Sequence, residues 1–150
     1  MKKTLLYLLF WIISLTWGLL ITLVGAAAAV VLLLGGHKPH RFGPNIYFRV
    51  GSGWGGVNFG PFFITDMDSD ESIFLHEAGH GLQNLIWGPL FPFVVSIPSA
   101  ARYWYREFLW ETDREKYWTL PDYDAIWFEG QATQWGTKVY SHILNEKKEG

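Results

Sequence analysis

The chain has 150 residues, a length that suits one domain of ordinary size. Its 12 Lys and Arg residues are balanced by 14 Asp and Glu residues, so no basic excess is present to neutralise phosphates and we expect no nucleic-acid partner. A hydrophobic fraction of 49% excludes a disordered chain, and the absence of cysteine excludes disulfides and thiolate zinc sites. Aromatic residues form 18% of the chain, which suits either a dense small core or a protein at a membrane interface.

The first element in chain order is a run without charged residues between positions 4 and 36. A membrane-spanning helix needs about 20 apolar residues, and this run is longer. It is compatible with one tilted span, with a span and an interfacial turn, or with a helical hairpin bent near Gly18 or Gly25. We expect the single span, because each arm of a hairpin would be short for a crossing. The sequence therefore predicts an integral membrane protein with an N-terminal anchor over residues 1–36.

Residues 37–150 are predicted to form a second domain that begins with a β-hairpin. Two stretches at 45–50 and 57–65 are rich in aromatic and β-branched residues, and a glycine-rich segment at 51–56 separates them. Extended stretches of this composition on either side of a glycine-rich connection are typical of paired strands. The segment has no Lys-Ser/Thr ending, so we interpret the glycines as a turn rather than as a phosphate-binding loop.

An acidic segment at 66–72 precedes a helical pattern that ends at Gly88-Pro89. We expect Asp68 or Ser69 to cap this helix, since carboxylates in the first turn suit the positive end of the helix dipole. Calcium binding is the alternative for this segment. It is less favoured, because the spacing lacks the glycine and the distal glutamate of an EF-hand loop.

The part of the chain after this helix contains two further segments with alternative interpretations. Residues 85–101 carry no charge but include three prolines, which is compatible with a re-entrant or interfacial membrane segment and equally with a buried core segment. Residues 99–119 mix aromatic with charged side chains, as in an interfacial helix or an amphipathic helix packed on the domain. A last helix is predicted from Pro121-Asp122 to about Asn145.

The sequence His76-Glu77-Ala78-Gly79-His80 is an HExxH motif on the first helix of this domain. Residues four apart share one face of a helix, so both imidazoles can bind one zinc ion. Glu77 can accept a proton from a water molecule that the zinc activates, which makes it the predicted general base. Random placement of the histidines and glutamates of this chain would give the pattern with a chance on the order of 1%.

A third ligand is needed, because catalytic zinc sites usually have three protein ligands and one open position. We expect Glu129, which lies among apolar residues of the last helix, where a buried carboxylate needs a partner. Its small neighbours Gly130, Ala132 and Gly136 would allow close approach of the HExxH helix. Asp124 is the second choice, and it can instead orient a histidine from outside the ligand set. The other downstream candidates are Glu107, Glu111, Asp113, Glu115, Asp122 and His142.

With Glu129 on a later helix, the motif resembles the gluzincin branch of zinc metallopeptidases, and the chain resembles small membrane metallopeptidases of bacteria and phages. The stretches that carry the resemblance lie within residues 73–136 and are His76-Glu-Ala-Gly-His-Gly-Leu-Gln83, Gly88-Pro89-Leu90, Ile97-Pro98-Ser99 and Trp127-Phe-Glu-Gly-Gln-Ala132. The resemblance implies a zincin-like domain, a zinc ion held by His76, His80 and Glu129, and Glu77 as general base.

The chain departs from the gluzincin pattern at one supporting position. Many gluzincins carry an Asp four residues after the third ligand, as a partner for a ligand histidine, and here that position is Thr133. We expect the support from Asp122, Asp124 or Gln134 instead. For stabilisation of the transition-state oxyanion, the candidates by chain proximity to Glu129 are Tyr117 and Tyr123.

The sequence therefore predicts an α+β fold with an N-terminal transmembrane helix followed by a small zincin-like domain. That domain would consist of a β-hairpin, the HExxH helix, an interfacial segment and a C-terminal helix that carries the third ligand. The predicted function is a membrane-anchored zinc peptidase, with a peptide or protein substrate and the membrane as partners. Two alternatives stay open: an intramembrane zinc protease of the site-2 type, and a zinc-stabilised membrane protein without catalytic activity that binds a partner. The presence of Glu77, which a purely structural site does not need, favours catalysis.

Overall fold

The structure is a computed structural model that describes the backbone of residues 2–148 and the side chains of residues 3–142. The fold is α+β, as the sequence predicts. In chain order its helices and strands are α1 (Lys2–Thr16), α2 (Leu19–Leu34), β1 (His40–Phe42), β2 (Asn45–Arg49), β3 (Gly56–Phe59), β4 (Phe62–Thr65), α3 (Glu71–Trp87), α4 (Ile97–Thr112), α5 (Arg114–Trp118) and α6 (Trp127–Lys148). A 3-10 turn (Gly88–Leu90) and a π-helical turn (Pro92–Ser96) join α3 to α4, and a 3-10 turn (Tyr123–Ala125) precedes α6.

The N-terminal apolar run is not one helix. It breaks after Thr16, and the helix axis bends by 100° between its two arms. Among the described residues, no single helix is long and apolar enough to cross a membrane; two bent pairs, α1 with α2 and α3 with α4, reach that length and composition only when their arms are added. The predicted transmembrane anchor over residues 1–36, and the integral membrane localisation drawn from it, are therefore wrong.

The break lets the N-terminal helices fold back onto the rest of the domain. At the corner, a Cβ on Gly18 would collide with the amide nitrogen of the buried Asn84 side chain on α3. The indole of Trp17 donates a hydrogen bond to the carbonyl oxygen of Ile86, also on α3, at 3.2 Å. Farther along α2, a Cβ on Gly25 would lie 2.7 Å from a backbone carbonyl oxygen of β3. Small residues thus bring this helical corner against α3 and the sheet, although large apolar side chains on its outer face remain exposed.

The four strands form one sheet in the order β1-β2-β4-β3. β3 and β4 are antiparallel and turn at Gly60-Pro61, whereas β2 pairs with β4 in parallel, with Ile46 opposite Phe62. The predicted pairing of residues 45–50 with residues 57–65 as one hairpin is therefore wrong. The second stretch is itself a hairpin, because Gly60 adopts the positive φ of 71° that its turn requires. The glycine-rich segment at 51–56 is a crossover from β2 to β3, with β4 lying between these two strands in the sheet, and β1 and β3 are the edges.

Asp66 holds the glycine-rich crossover in place. One of its carboxylate oxygens accepts hydrogen bonds from the backbone N–H groups of Trp54 and Gly55 at 2.8 and 2.9 Å, and the other accepts one from the Ser69 hydroxyl at 2.6 Å. The hydrogen bond from Ser69, together with those from the backbone, outweighs burial and lowers the pKa of Asp66 to about 2. The hydrogen bonds to this carboxylate thus fix the loop at 51–56.

The cap of α3 lies slightly later than the sequence predicts. Asp70, rather than Asp68 or Ser69, precedes the first helical residue, and its carboxylate accepts a hydrogen bond from the backbone N–H of Ser72 at 2.9 Å. The general expectation of an acidic N-terminal cap is met. The acidic segment therefore fastens a loop through Asp66 and caps a helix through Asp70.

Two clusters of buried side chains form the core. The first joins the sheet to α3 and α6, and its aromatic members are Phe42, Tyr47, Phe63, Phe74 and Tyr140. The second joins α2 to α6 through the turns that follow α3, and it consists of Ile21, Phe91, Val95 and Phe128. Phe91 and Val95 come from the uncharged stretch at 85–101, so that part of the stretch belongs to the core. Much of the aromatic content thus serves a dense interior.

The helices α3 and α6 pack against each other at glycine and alanine positions. A Cβ on Gly79 would collide with the carbonyl oxygen of Ala132, and a Cβ on Gly136 would collide with the carbonyl oxygen of Leu75. The two backbones are therefore in direct contact. Ala132 and Gly136 are two of the small residues that the sequence singled out around Glu129 for this purpose.

We expect Gly136→Ala to lower the free energy of unfolding by about 1–3 kcal/mol, the usual cost of overpacking, because the added methyl group would force α6 away from Leu75. Thermal denaturation of the metal-free protein, followed by circular dichroism, measures the effect. The matched control is Gly35→Ala, at a residue with an ordinary φ of -75° where a Cβ would make only van der Waals contacts, the nearest at 3.4 Å. Equal Tm values for the two variants would contradict the close approach of the helices.

We expect Asp66→Asn to destabilise the protein at neutral pH by roughly 1–3 kcal/mol, because hydrogen bonds to a charged acceptor are lost. The pKa of Asp66 is lowered on folding, so its carboxylate contributes stability above the ordinary value of 3.8 and loses that contribution as the pH falls toward 2. The difference between variant and wild type should therefore shrink between pH 7 and pH 3, as measured by urea unfolding. The control is Asp68→Asn, at an exposed carboxylate two residues away. A difference that stays constant over this range would refute the role of the Asp66 charge.

Candidate metal centre

α3 and α6 bring together the three residues that the sequence predicts as metal ligands. His76 and His80 lie one turn apart on α3, and Glu129 lies in the first turn of α6. The Nε2 atoms of the histidines are 3.1 Å apart, and they lie 3.1 and 3.2 Å from Oε2 of Glu129. This group can hold a metal ion. The other third-ligand candidates are all exposed: Glu107, Glu111, Asp113, Glu115, Asp122, Asp124 and His142.

The triangle of ligand atoms has the size of one face of a small coordination shell. A tetrahedral ion with ligands at roughly 2.0–2.1 Å has ligand atoms roughly 3.3–3.4 Å apart. All three edges of the observed triangle come within a few tenths of an ångström of this spacing. Calcium prefers six or more oxygen ligands at longer distances, so two imidazoles and one carboxylate suit it poorly. The residues present therefore fit a small ion that accepts nitrogen and oxygen ligands.

Hydrogen bonds on the far side of each imidazole determine which nitrogen faces the triangle. Nδ1 of His76 lies 2.8 Å from the Thr133 hydroxyl, and Nδ1 of His80 lies 2.7 Å from Oε1 of Gln83. The Gln83 amide is itself oriented, because its Nε2 donates to the carbonyl oxygen of Phe128 at 2.8 Å. Since Oε1 can only accept, Nδ1 of His80 carries a proton, and Nε2 is the nitrogen left to bind an ion.

These supporting residues are not those that the sequence analysis named. Asp122, Asp124 and Gln134 are exposed, and among the described residues the Nδ1 atoms of the ligand imidazoles are paired with Thr133 and Gln83 instead. Thr133 occupies the position at which many gluzincins carry an aspartate, and its hydroxyl reaches His76 as a carboxylate would. Gln83 lies three residues after His80 and thus on the same helix face. That spacing is the signal by which sequence analysis could have found it.

Without an ion, the buried carboxylate of Glu129 lies within ion-pair distance of both imidazoles. Burial disfavours the charged form of His76, but its hydrogen bond to Glu129 and the nearby charge of Glu77 outweigh burial and raise the pKa of the imidazole. Burial also disfavours the Glu129 carboxylate, but hydrogen bonds from His76 and His80 hold the pKa of that carboxyl well below its usual range. A bound cation would replace the shared proton, so metal binding should release protons.

Glu77 is buried beside the triangle and is not part of it. Its carboxylate lies against the first residue of β3, where a Cβ on Gly56 would come within 2.6 Å of Oε1. Its other oxygen, Oε2, has no hydrogen-bond partner among the described residues. Burial raises the pKa of Glu77, although the charges of His76 and His80 oppose the rise. A buried carboxyl group with a raised pKa and an unengaged oxygen is suited to proton transfer.

Of the two tyrosines considered for oxyanion stabilisation, Tyr123 is the one in contact with a ligand. Its ring centroid lies 6.3 Å from that of His76. Burial, followed by the charge of Glu129, raises the pKa of Tyr123 to about 12, so its hydroxyl stays protonated as a donor at neutral pH. Tyr117 packs instead against Trp110, with ring centroids 5.1 Å apart.

Comparisons of the chain with known protein families, with curated proteins and with solved structures gave no match. The resemblance to gluzincins and to small bacterial and phage membrane metallopeptidases therefore stays a prediction. What this site does has to be argued from the geometry of its own residues.

We expect Thr133→Val to weaken binding of a divalent ion by about 10- to 100-fold, the usual effect of removing a hydrogen-bond partner from a ligand histidine. The valine keeps the volume of the threonine but cannot form the hydrogen bond to Nδ1 of His76. Competition with a chelating zinc indicator gives the Kd of each variant. Thr137→Val, at an exposed position one turn farther along α6, is the matched control. If both variants bound zinc like the wild type, Thr133 would have no part in orienting the ligand.

Proposed function

We propose that this chain is a zinc-dependent peptidase, with His76, His80 and Glu129 as metal ligands and Glu77 as general base. The observation that carries the proposal is a triangle of three ligand atoms next to the carboxylate of a fourth residue, Glu77, which is buried and stands outside the triangle. Structural zinc sites are closed by four protein ligands, whereas catalytic sites keep three and leave one position open. The spare carboxylate of Glu77 is a feature that only the catalytic kind of site needs.

Zinc is the ion that the donor set favours. Two imidazole nitrogens and one carboxylate oxygen form a ligand set known from catalytic zinc sites, and the triangle has the matching size. When bound, zinc supplies a Lewis acid that polarises a carbonyl group and lowers the pKa of a water molecule.

Residues of the chain would then provide proton transfer, oxyanion stabilisation and orientation of the ligands. Glu77 would accept the proton of the attacking water as the oxygen–carbon bond forms, and would return it to the amine nitrogen as the carbon–nitrogen bond breaks. Tyr123 would donate its hydroxyl proton in a hydrogen bond to the developing oxyanion. Gln83 and Thr133 would hold the two imidazoles in the orientation that the ion requires.

A peptide is the substrate class that the neighbouring sheet supports. β3 is an edge of the sheet, and it begins at Gly56, directly beside Glu77. An edge strand offers unpaired backbone groups to which an extended peptide can add as a further strand. A peptide bound in this way would pass next to the general base.

We expect Glu77→Gln to lower kcat by about 10²- to 10⁴-fold on any peptide that the wild type cleaves, because the amide cannot accept the proton from water. The zinc content should stay that of the wild type, since Glu77 is not a ligand. The measurements are zinc per chain by elemental analysis and cleavage of a peptide library by mass spectrometry. Glu111→Gln, at an exposed carboxylate of α4, is the matched control.

The ligand set is tested in the same preparation. Glu129→Ala should lose zinc, whereas Asp124→Ala should retain it. A wild-type protein without zinc affinity would refute the proposal altogether. A wild type that binds zinc but is as inactive as Glu77→Gln on every peptide would refute catalysis, and it would favour a metal-stabilised protein that binds a partner.

A further inference from the structure

The segment that carries Tyr123 is held by two arginines of α4. Arg106 donates from Nη1 to the carbonyl oxygen of Pro121 at 2.9 Å. Arg102 donates from Nη2 to the carbonyl oxygens of Asp122 and Tyr123 at 2.8 and 3.1 Å. Three successive carbonyl groups thus accept hydrogen bonds from one helix, and that of Asp122 also accepts one from the backbone N–H of Ala125 at 3.0 Å.

The same two guanidinium groups also lie over the Tyr123 ring. The Cζ atoms of Arg102 and Arg106 are 5.5 and 5.8 Å from the ring centroid, within the range of cation–π attraction. A planar guanidinium can donate to carbonyl groups and stack on a ring at the same time, which a lysine ammonium cannot do equally well. Each arginine therefore restrains both the backbone of the segment at 121–123 and the ring of Tyr123.

The spacing on α4 places a third residue on the same side of the helix. Ser99, Arg102 and Arg106 are three and four residues apart and so lie on one face of the helix. Burial raises the pKa of Tyr123 overall, but Ser99 lowers the pKa of both Tyr123 and Glu129. One face of α4 is thus directed toward the segment that carries Tyr123.

We infer that Arg102 and Arg106 are positioning residues that hold the Tyr123 hydroxyl at the metal centre. This inference rests on the proposed peptidase function, in which Tyr123 stabilises the oxyanion. Neither arginine touches the reacting atoms; each acts through the segment at 121–123. A displacement of the phenol by about 1 Å would be enough to cost on the order of 100-fold in rate.

The test compares the kinetic constants of the zinc-loaded protein for a peptide from the library that the wild type cleaves. Arg102→Gln and Arg106→Gln should each lower kcat roughly 10- to 100-fold, with KM within about twofold of the wild type, because the lost interaction belongs to the transition state. Tyr123→Phe should have a similar effect. Adding Arg102→Gln to Tyr123→Phe should cost nothing more, since both changes remove the same hydrogen bond. Arg102→Lys should restore only part of the rate.

Arg114→Gln is the matched control. Arg114 also donates to a carbonyl group and lies over an aromatic ring, but its partner for both contacts is Trp110. It should therefore keep the wild-type kcat. Multiplicative losses in the Arg102→Gln and Tyr123→Phe double variant, or an equal loss in Arg114→Gln, would overturn the inference.

A second measurement does not depend on activity. Hydrogen–deuterium exchange of the backbone amides at 119–126 should accelerate in Arg102→Gln and in Arg106→Gln but not in Arg114→Gln. Unchanged exchange would overturn the inference even if the protein were an active peptidase. An inactive wild type with accelerated exchange in the two variants would instead refute the proposed function, while the restraint on the segment would stand.

Discussion

The direct contact between the backbones of α3 and α6 is the constraint on which the metal centre depends. Helices with ordinary side chains at their crossing keep their axes about 8–10 Å apart. Here Gly79 faces Ala132, and Gly136 faces Leu75, without room for a Cβ on either glycine. Glu129 belongs to the same part of α6, and it must bring one oxygen within 3.2 Å of two imidazole nitrogens on α3. A methyl group at the crossing would push the helices apart and lengthen the distances between Glu129 and the two histidines. The positions of the three ligand atoms therefore depend on the packing of the two backbones.

The same contact supplies the hydrogen bonds that orient the ligands. Thr133 reaches from α6 to His76 on α3, and Gln83 reaches from α3 to the carbonyl oxygen of Phe128 on α6. His76 is therefore oriented directly by α6, whereas His80 is oriented by Gln83 of its own helix, whose amide is in turn held by α6. This coupling lets a small domain keep several polar groups in its interior, because each ligand is paired both with another ligand and with the neighbouring helix.

Local patterns predicted the site better than they predicted the fold. The HExxH spacing is a property of a single helix, and the apolar neighbours of Glu129 indicated its burial. The break between α1 and α2 depends instead on the fit of Gly18 against Asn84, a residue distant in sequence, which hydropathy does not register. The parallel pairing of β2 with β4 was missed for a similar reason, since the strand that follows the glycine-rich connection, β3, runs opposite to β2 as in a hairpin, but β4 lies between the two in the sheet. Gln83 was not predicted, because the expected supporting residues all lay near Glu129 in sequence, whereas Gln83 lies on the helix of the histidine that it orients.

The aromatic cluster and the N-terminal corner both pack against α3, the helix that carries both histidines and Glu77, the proposed general base. The ring cluster packs Phe74 against the sheet, the glycine contact holds one side against α6, and the α1–α2 corner packs on Asn84 and Ile86 near its C-terminal end. α3 is thus fixed along its length by three separate kinds of packing. Ligand atoms that must meet within 3.2 Å need a carrier of this rigidity. The side of the site formed by α4 and the Tyr123 segment is held differently, by arginine hydrogen bonds and ring contacts. The part of the site that can hold an ion is therefore fixed by backbone packing, whereas the part that would meet a substrate is fixed by side chains.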